Sequence, residues 1–233
     1  MSRTPPSDSN KESDDESDKP NTGSIRTIPP NESQYAGYTK AFAAQIGDRE
    51  LWIANERAVK PENLEVLNLG PEYVISLNRT PAGATTDYHP LRDAFLNDQQ
   101  SFRNAVETAR KRYRQSGQTI INCAAGISRS ATVIAATIAA EEGLSFDTAV
   151  NEIEETRPRA DPHPKLQISA LRYLAAVTNT PDAKEKLEEI ASSIYSEKED
   201  DEKLDDLIAI DQKDPAPEDS RGSITGGDSN GSS

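Results

Sequence analysis

One stretch of the chain carries residue types at a spacing that can do chemistry: Cys123-Ala124-Ala125-Gly126-Ile127-Ser128-Arg129-Ser130. A lone cysteine is more often a small buried hydrophobe than a nucleophile. This one has glycine at the third position beyond it, arginine at the sixth and serine at the seventh. At average composition that combination follows a cysteine by chance on the order of once in a thousand times or less. A loop between a buried strand and a helix N-terminus turns backbone N–H groups toward an anion and adds the positive end of the helix dipole. Gly126 permits the tight curl of a closed loop, and the planar fork of Arg129 matches two phosphate oxygens at once. The same positive surroundings favour the thiolate of Cys123. Cys123 is therefore the candidate nucleophile, and Ala124, Ala125, Gly126, Ile127, Ser128 and Arg129 form the candidate phosphate-binding loop.

The elements that must hold this loop are legible around it. Residues 119–123 form a short apolar strand, and residues 130–142 are rich in Ala, Ile and Val, too apolar all round for anything but a central helix, which Gly143 ends. Upstream, 51–53 and 73–77 predict buried strands. Pro61 opens a short helix over 61–69 with Leu64 and Leu67 on one side and Gly70 as its stop. Residues 78–93 hold Pro81, Gly83 and Pro90 and predict mostly loop. A helix over 98–114 follows from Phe102, Val106, Ala109 and Tyr113, with Gly117 beyond its end. Downstream, Ser145 caps a helix running to Thr156 before Pro158, and residues 165–177 form a last helix with Leu166, Leu171 and Leu174 inward. Strands alternating with helices predict an α/β fold, a central mixed sheet flanked by helices.

Charge separates this middle from its ends. The 233 residues carry a net charge of −14 and only 34% apolar residues, below the ~45–50% usual for a fully packed chain. Residues 1–34 hold 4 basic and 7 acidic side chains, residues 180–233 hold 6 and 16, and the stretch between is nearly neutral at 16 and 17. The expected organisation is a disordered polar arm over 1–34, a catalytic domain over 35–179, and a disordered tail over 211–233. Residues 180–210 admit two readings, an amphipathic helix through Leu187, Ile190, Ile194, Leu204 and Leu207 or a solvated acidic tail. Acidic ends argue against nucleic acid or an anionic membrane as partner. A single cysteine excludes an intramolecular disulfide and suits a reducing cytoplasm. The first twenty residues contain no apolar run resembling a secretory signal, and the longest apolar stretch, 131–140, is about half of what a bilayer needs. His89 and His163 are too few and too far apart to suggest a metal site. Arg110, Lys111, Arg112 and Arg114 read as a solvated helix face.

The run from Asn122 to Thr132 resembles the signature of the dual-specificity protein phosphatases. The likeness extends through most of 38–178: Leu51-Trp52-Ile53 with Asn55 resembles the family's opening strand, Tyr73 to Leu77 its next, and Arg157-Pro158 with Pro164 and Gln167 its closing stretch. The resemblance implies phosphomonoester hydrolysis through a phosphocysteine, with no cofactor and no metal. Phosphorylated protein is the implied substrate, since small neutral residues occupy the loop where relatives acting on inositol lipids tend to carry Lys or Arg. It also implies a general acid on Tyr88-His89-Pro90-Leu91-Arg92-Asp93, namely Asp93, thirty residues before Cys123. Asp98 is the rival, at a position where the next helix needs a cap. Ser130 is placed to donate a hydrogen bond to the sulfur, or simply to cap the helix, and Arg157 is implied to brace the loop. Two other classes stay in view: a catalytically weak phosphopeptide-binding module and a sulfur-transfer loop, besides a phosphatase of a small phosphorylated metabolite.

One departure generates a prediction. The family has His immediately before the cysteine, where this chain has Asn122. A neutral amide supports the thiolate less than an imidazole does. The acidic limb of the pH–rate profile is expected at higher pH than in His-bearing relatives; an unshifted limb refutes the idea.

Overall fold

The computed structural model describes residues 24–28, 40–93, 99–178 and 183–195. Strands β1 (Ile25–Ile28), β2 (Ala41–Gln45), β3 (Leu51–Asn55), β4 (Tyr73–Ser76), β5 (Asp87–Tyr88) and β6 (Thr119–Cys123) join in one sheet of order β1-β2-β3-β6-β4-β5. The first three strands pair antiparallel and β3, β6, β4 and β5 run parallel. The sheet is therefore mixed, as expected. Parallel strands need crossovers, and α1 (Pro61–Val66) between β3 and β4 and α2 (Gln99–Tyr113) between β5 and β6 supply two of them; α3 (Arg129–Glu142), α4 (Phe146–Thr156), α5 (Pro164–Val177) and α6 (Ala183–Tyr195) follow the last strand.

The strand period of two divides the core. Ile121 and Cys123 of β6 face a large layer with Ile53, Ile75, Phe102, Ile134 and Leu171. Ile120 faces a smaller layer with Trp52, Val74 and Leu64 under α1. Ten consecutive residues of α3, Ser130 to Ala139, are buried, because α2, α4 and α5 all pack on it. Gly143 closes α3 in the left-handed conformation at φ +69°, the usual glycine C-cap. Ser145 caps α4 by accepting from Thr148 N–H at 3.1 Å. The stop of α1 is Asn68, with φ +52°, and not Gly70; a short amide tolerates that region.

Three further expectations change. Residues 25–28 do not belong to an arm outside the fold: they pair with β2 as an edge strand, and Arg26 lies over the Trp52 ring at 5.0 Å and donates to the carbonyls of Leu67 and Asn68. Four residues of alternating Ile amid polar sequence give too weak a periodic signal to stand out. Strand β2 was likewise hidden, because Ala-Phe-Ala-Ala-Gln carries no strand propensity and takes its conformation from its two neighbours. Of the 180–210 segment, residues 183–195 form a helix whose Ala183 and Leu187 join the large layer and whose Ala191 is also buried; the remainder lies outside the described residues, as do 1–23 and 211–233. No described helix is long and apolar enough to cross a membrane.

The arginines of α2 are not a solvated face either. Arg110 and Arg114 both bind Glu141 of α3, Arg110 also donates to the Tyr173 hydroxyl of α5, and Arg112 pairs with Asp87 while stacking on Tyr73. Arg49 in the β2–β3 turn forks onto Glu142 and reaches Glu152 of α4 at 2.7 Å. Burial pushes the Glu141 carboxyl up, but hydrogen bonds from Arg114 and Arg110 outweigh it and hold it below the usual range. The Arg49 hydrogen bond does the same for Glu142, ahead of the opposing effect of burial. A carboxyl held low in the native state stabilises it above the unfolded pKa and loses that contribution as pH falls. The urea midpoint is therefore expected to drop as pH is lowered from about 5 to about 3, less steeply in Glu141→Gln and Glu142→Gln. An unchanged slope in both variants would show that these pairs carry no pH-linked stability.

Candidate active site

The C-terminal ends of β3, β6 and β4 lie side by side, with Asn55↔Cys123 and Ser76↔Asn122 in register. Open parallel sheets bind ligands at this edge, and Cys123 ends the central strand of the three, only 2% exposed. The next five residues curl away before α3 begins. Every carbonyl from 124 to 128 accepts a hydrogen bond from outside the curl. Glu56 N–H donates to Ala124 at 3.5 Å, Arg157 donates Nη2 to Ala125 at 3.1 Å and Nε to Gly126 at 3.0 Å, and Asp161 N–H donates to Ile127 at 3.1 Å. Thr132 N–H donates to Ser128 at 2.9 Å, starting the helix. A peptide's N–H points opposite to its C=O. Turning five carbonyls outward thus turns the intervening N–H groups inward, over the sulfur. Such a nest of amides binds anions, and the start of α3 adds its dipole.

Gly126 makes the curl possible. It sits at φ +63°, and a Cβ there would lie 2.8 Å from the Ala54 carbonyl oxygen, so the loop rests on the end of β3 at a distance no side chain permits. Arg157 holds two of the five carbonyls and stacks on Phe42 of β2 at 4.0 Å. Burial disfavours its charge, Arg159 repels it and Cys123 offsets part of that, leaving its pKa lowered. Its contacts make it the loop's brace. Asn55 ties the neighbouring turn, donating to Lys40 O and accepting from Phe42 and Ala58 N–H.

The charged side chains converge from three elements. Arg129, the first residue of α3, donates Nη1 to the carbonyls of Leu77 and Leu91 at 3.2 and 3.3 Å, which anchors one side of the guanidinium to the ends of β4 and of the loop after β5. Its Nε is buried without a hydrogen-bond partner among the described residues and lies 3.6 Å from Asp93 Oδ2. Ser130 is buried, its Oγ 3.3 Å from Cys123 Sγ; the cap position belongs to Ser128, so Ser130's hydroxyl is committed to the sulfur. Asp93 stands at the rim, 40% exposed, and accepts from Ser128 Oγ at 2.6 Å. Thus Ser130 meets Cys123 and Arg129 meets Asp93 around the start of α3, whereas Asp98 lies outside the described residues.

One position differs from expectation. Asn122 is fully buried, and by strand alternation it faces the smaller core layer, away from Cys123. Neither amide atom has a hydrogen-bond partner among the described residues, nor does the Oγ of its register partner Ser76. Asn122 therefore does not organise the loop, which removes the structural basis for the shifted acidic limb expected from the sequence; Arg157 and the backbone donors hold the loop instead. His163 is the N-cap of α5, its Nδ1 accepting from Lys165 N–H, and no group of three or more metal-ligating side chains occurs among the described residues. The side-chain bonds of Ser128 were not foreseen, because its sequence position reports only a loop residue before a helix.

Comparison with known proteins bears on this arrangement. A family model described as the dual specificity phosphatase catalytic domain matches residues 56–174, just over half of the chain. MAP kinase phosphatase with leucine-rich repeats protein 3 of Dictyostelium discoideum is 32% identical over 62 residues, 27% of this chain and 7% of that protein. Dual specificity protein phosphatase 15 of Mus musculus is 27% identical over 97 residues, 40% of this chain and 41% of that protein. The chain thus spans less than half the length of either curated relative. Among solved structures, a mouse protein described as a dual specificity phosphatase superposes with a TM-score of 0.50 at 23% identity, over 61% of this chain and 92% of that one. The structure of DUSP15 gives 0.50 at 22%, over 63% and 95%. These neighbours share the fold. With the family match running from the turn after β3 through the amide nest to the end of α5, the chain belongs to the dual specificity phosphatase catalytic-domain family.

Proposed function

We propose that the chain is a cysteine-dependent phosphatase that hydrolyses phosphomonoesters through a phosphocysteine intermediate. One observation supports this above the rest: five consecutive loop carbonyls after Cys123 are held by donors outside the loop, which by peptide planarity leaves the intervening N–H groups free for an anion, with Arg129 following directly in the chain. A phosphate dianion satisfies both sets of donors, and the trigonal-bipyramidal transition state, with charge on its equatorial oxygens, satisfies them better than the ground state does.

In the proposed reaction Cys123 attacks phosphorus in line with the leaving oxygen. The loop amides of residues 124–129 and the Arg129 fork hold the equatorial oxygens. Asp93 protonates the departing alkoxide or phenoxide. Asp93 then takes a proton from water as that water attacks the phosphocysteine, and Ser130 donates to the sulfur as it leaves. Arg129 is already held at Nη1 by two carbonyls, which lowers the cost of ordering it around the ligand.

Phosphotyrosine and phosphoserine or phosphothreonine in proteins are the proposed substrates. The residues flanking the nest, Ala124, Ala125, Ile127 and Ser128, are small or neutral and offer no cation to further phosphates on a ligand. The proposed catalytic unit is residues 35–179, with β1 and α6 packed on its edges. A nucleophilic thiolate works only while reduced, which supports a cytoplasmic setting.

In the presence of EDTA, wild-type protein is expected to hydrolyse 4-nitrophenyl phosphate. Cys123→Ser should lose at least about 10⁴-fold and Asp93→Ala about 10²–10³-fold, while Asp98→Ala stays within about threefold. A loss confined to Asp98→Ala moves the acid role to that residue. Turnover surviving Cys123→Ser sinks the mechanism, and phosphopeptide binding without any turnover favours a binding module. Gly126→Ala introduces backbone strain of about 1–3 kcal/mol at the nest, and its inhibition constant for inorganic phosphate is expected to rise about tenfold; an unchanged constant would show that the curl does not hold the anion.

A further inference from the structure

Ser128 occupies the N-cap position of α3, yet its side chain makes no capping hydrogen bond, and its backbone is helical at φ −101° and ψ −71°. Ser145, the N-cap of α4, behaves as serine at this position normally does: it is extended at φ −68° and ψ 155°, and its Oγ accepts from Thr148 N–H. The hydroxyl of Ser128 is diverted. It accepts from His163 N–H at 3.1 Å and lies 2.6 Å from Asp93 Oδ1. A hydroxyl has one proton to give. With the amide of His163 supplying its own, and with carboxylate oxygens able only to accept when ionised, the Ser128 proton is directed onto Asp93 Oδ1. The diversion also leaves the N–H groups at the start of α3 uncapped, available to an anion.

Asp93 needs such a hold. It lies on the loop after β5, with a side chain 40% exposed. Its two oxygens are not equivalent. Oδ1 is engaged by Ser128, and Oδ2 is the one facing the guanidinium, 3.6 Å from Arg129 Nε. Arg129 Nε, the nitrogen facing Oδ2, is buried and has no hydrogen-bond partner among the described residues, so Oδ2 accepts no hydrogen bond from it. We propose that Ser128 is a positioning residue for the acid: it pins Oδ1 so that the transferable proton resides on Oδ2, directed at the leaving oxygen. This rests on the phosphatase reading above. In the first step the Sγ–P bond forms, the P–O bond to the leaving group breaks, and the departing oxygen takes the Oδ2 proton. In the second, water attacks phosphorus, its proton returns to Oδ2, and the S–P bond breaks to give thiolate and inorganic phosphate. Ser128 keeps its proton throughout.

The test reads leaving-group dependence, which a role confined to holding the loop or binding phosphate does not alter. kcat/KM is measured with the full chain for aryl phosphates ranging from phenyl phosphate to a dihalonitrophenyl phosphate whose phenoxide departs unaided. Ser128→Ala is expected to lose about tenfold or more on phenyl phosphate and less than about threefold on the activated ester, following the pattern of Asp93→Asn at smaller amplitude. In the Asp93→Asn background, Ser128→Ala should add less than about twofold. Ser128→Thr, which keeps a hydroxyl, should stay near wild type, and its isostere Ser128→Val should behave as the alanine variant does. An equal loss across the ester series, or a full multiplicative loss in the Asp93→Asn background, overturns the proposal. It is scored on whichever of the Ala and Val variants retains the wild-type circular dichroism. Cys123→Ser, run alongside, separates the two readings: activity remaining there removes the phosphatase mechanism, while its loss with a flat Ser128 response removes only the positioning role.

Discussion

The outward tethering of five carbonyls is the constraint on which the rest of the site depends. A short loop of small residues has no intrinsic reason to aim its amides at one point; left free, its peptide units would turn to water. Here the carbonyls are claimed by donors from four parts of the fold: the turn after β3, the side chain of Arg157, which takes two, the segment before α5, and the first turn of α3. The concave face is then lined with N–H groups whose orientation was fixed on folding. An anion entering it meets dipoles that need no reorganisation, which is the physical basis of electrostatic preorganisation.

The architecture around the nest serves the same end. Placing β6 between β3 and β4 puts the Cys123 sulfur at the centre of the parallel edge and gives the loop a wall, the end of β3, close enough that only glycine fits at 126. The burial of α3 on three sides by α2, α4 and α5 holds its N-terminus in place. Ion pairs at the opposite end of the helix, Glu141 with Arg110 and Arg114 and Glu142 with Arg49, tie its last turn to α2 and to the β2–β3 turn. The anchoring of Arg129 to carbonyls of β4 and of the loop carrying Asp93 couples the phosphate clamp to the acid through backbone. The nucleophile, clamp and acid therefore share supports, and displacement of one strand end disturbs all three.

Asn122 illustrates how a position next to the nucleophile can lie outside the chemistry. Strand alternation sends its side chain to the far face of the sheet, beside Ser76 in the smaller core layer. Three buried polar atoms there lack partners among the described residues, and buried polar groups are costly unless satisfied. Nothing in the geometry links that cost to the loop, whose organisation rests on Arg157 instead.

Sequence alone determined the α/β class, the strand and helix on either side of the reactive loop, and Cys123, Gly126 and Arg129 as the residues to watch, because each is marked by local pattern: a short β-branched run, an apolar helix, a glycine in a tight turn, and spacing within one motif; Asp93 was picked out only through the family resemblance. Strands β1 and β2 escaped it, since alanine and a four-residue edge take their conformation from neighbours distant in sequence. The long-range donors of the nest, the recruitment of the arginines at the end of α2 into ion pairs and the diversion of Ser128 from helix cap to Asp93 were decided only by tertiary structure. Each is a contact between side chain or backbone groups 12 or more residues apart, or a choice between two partners equally allowed locally, and such choices are made by packing, on which local propensity has no hold.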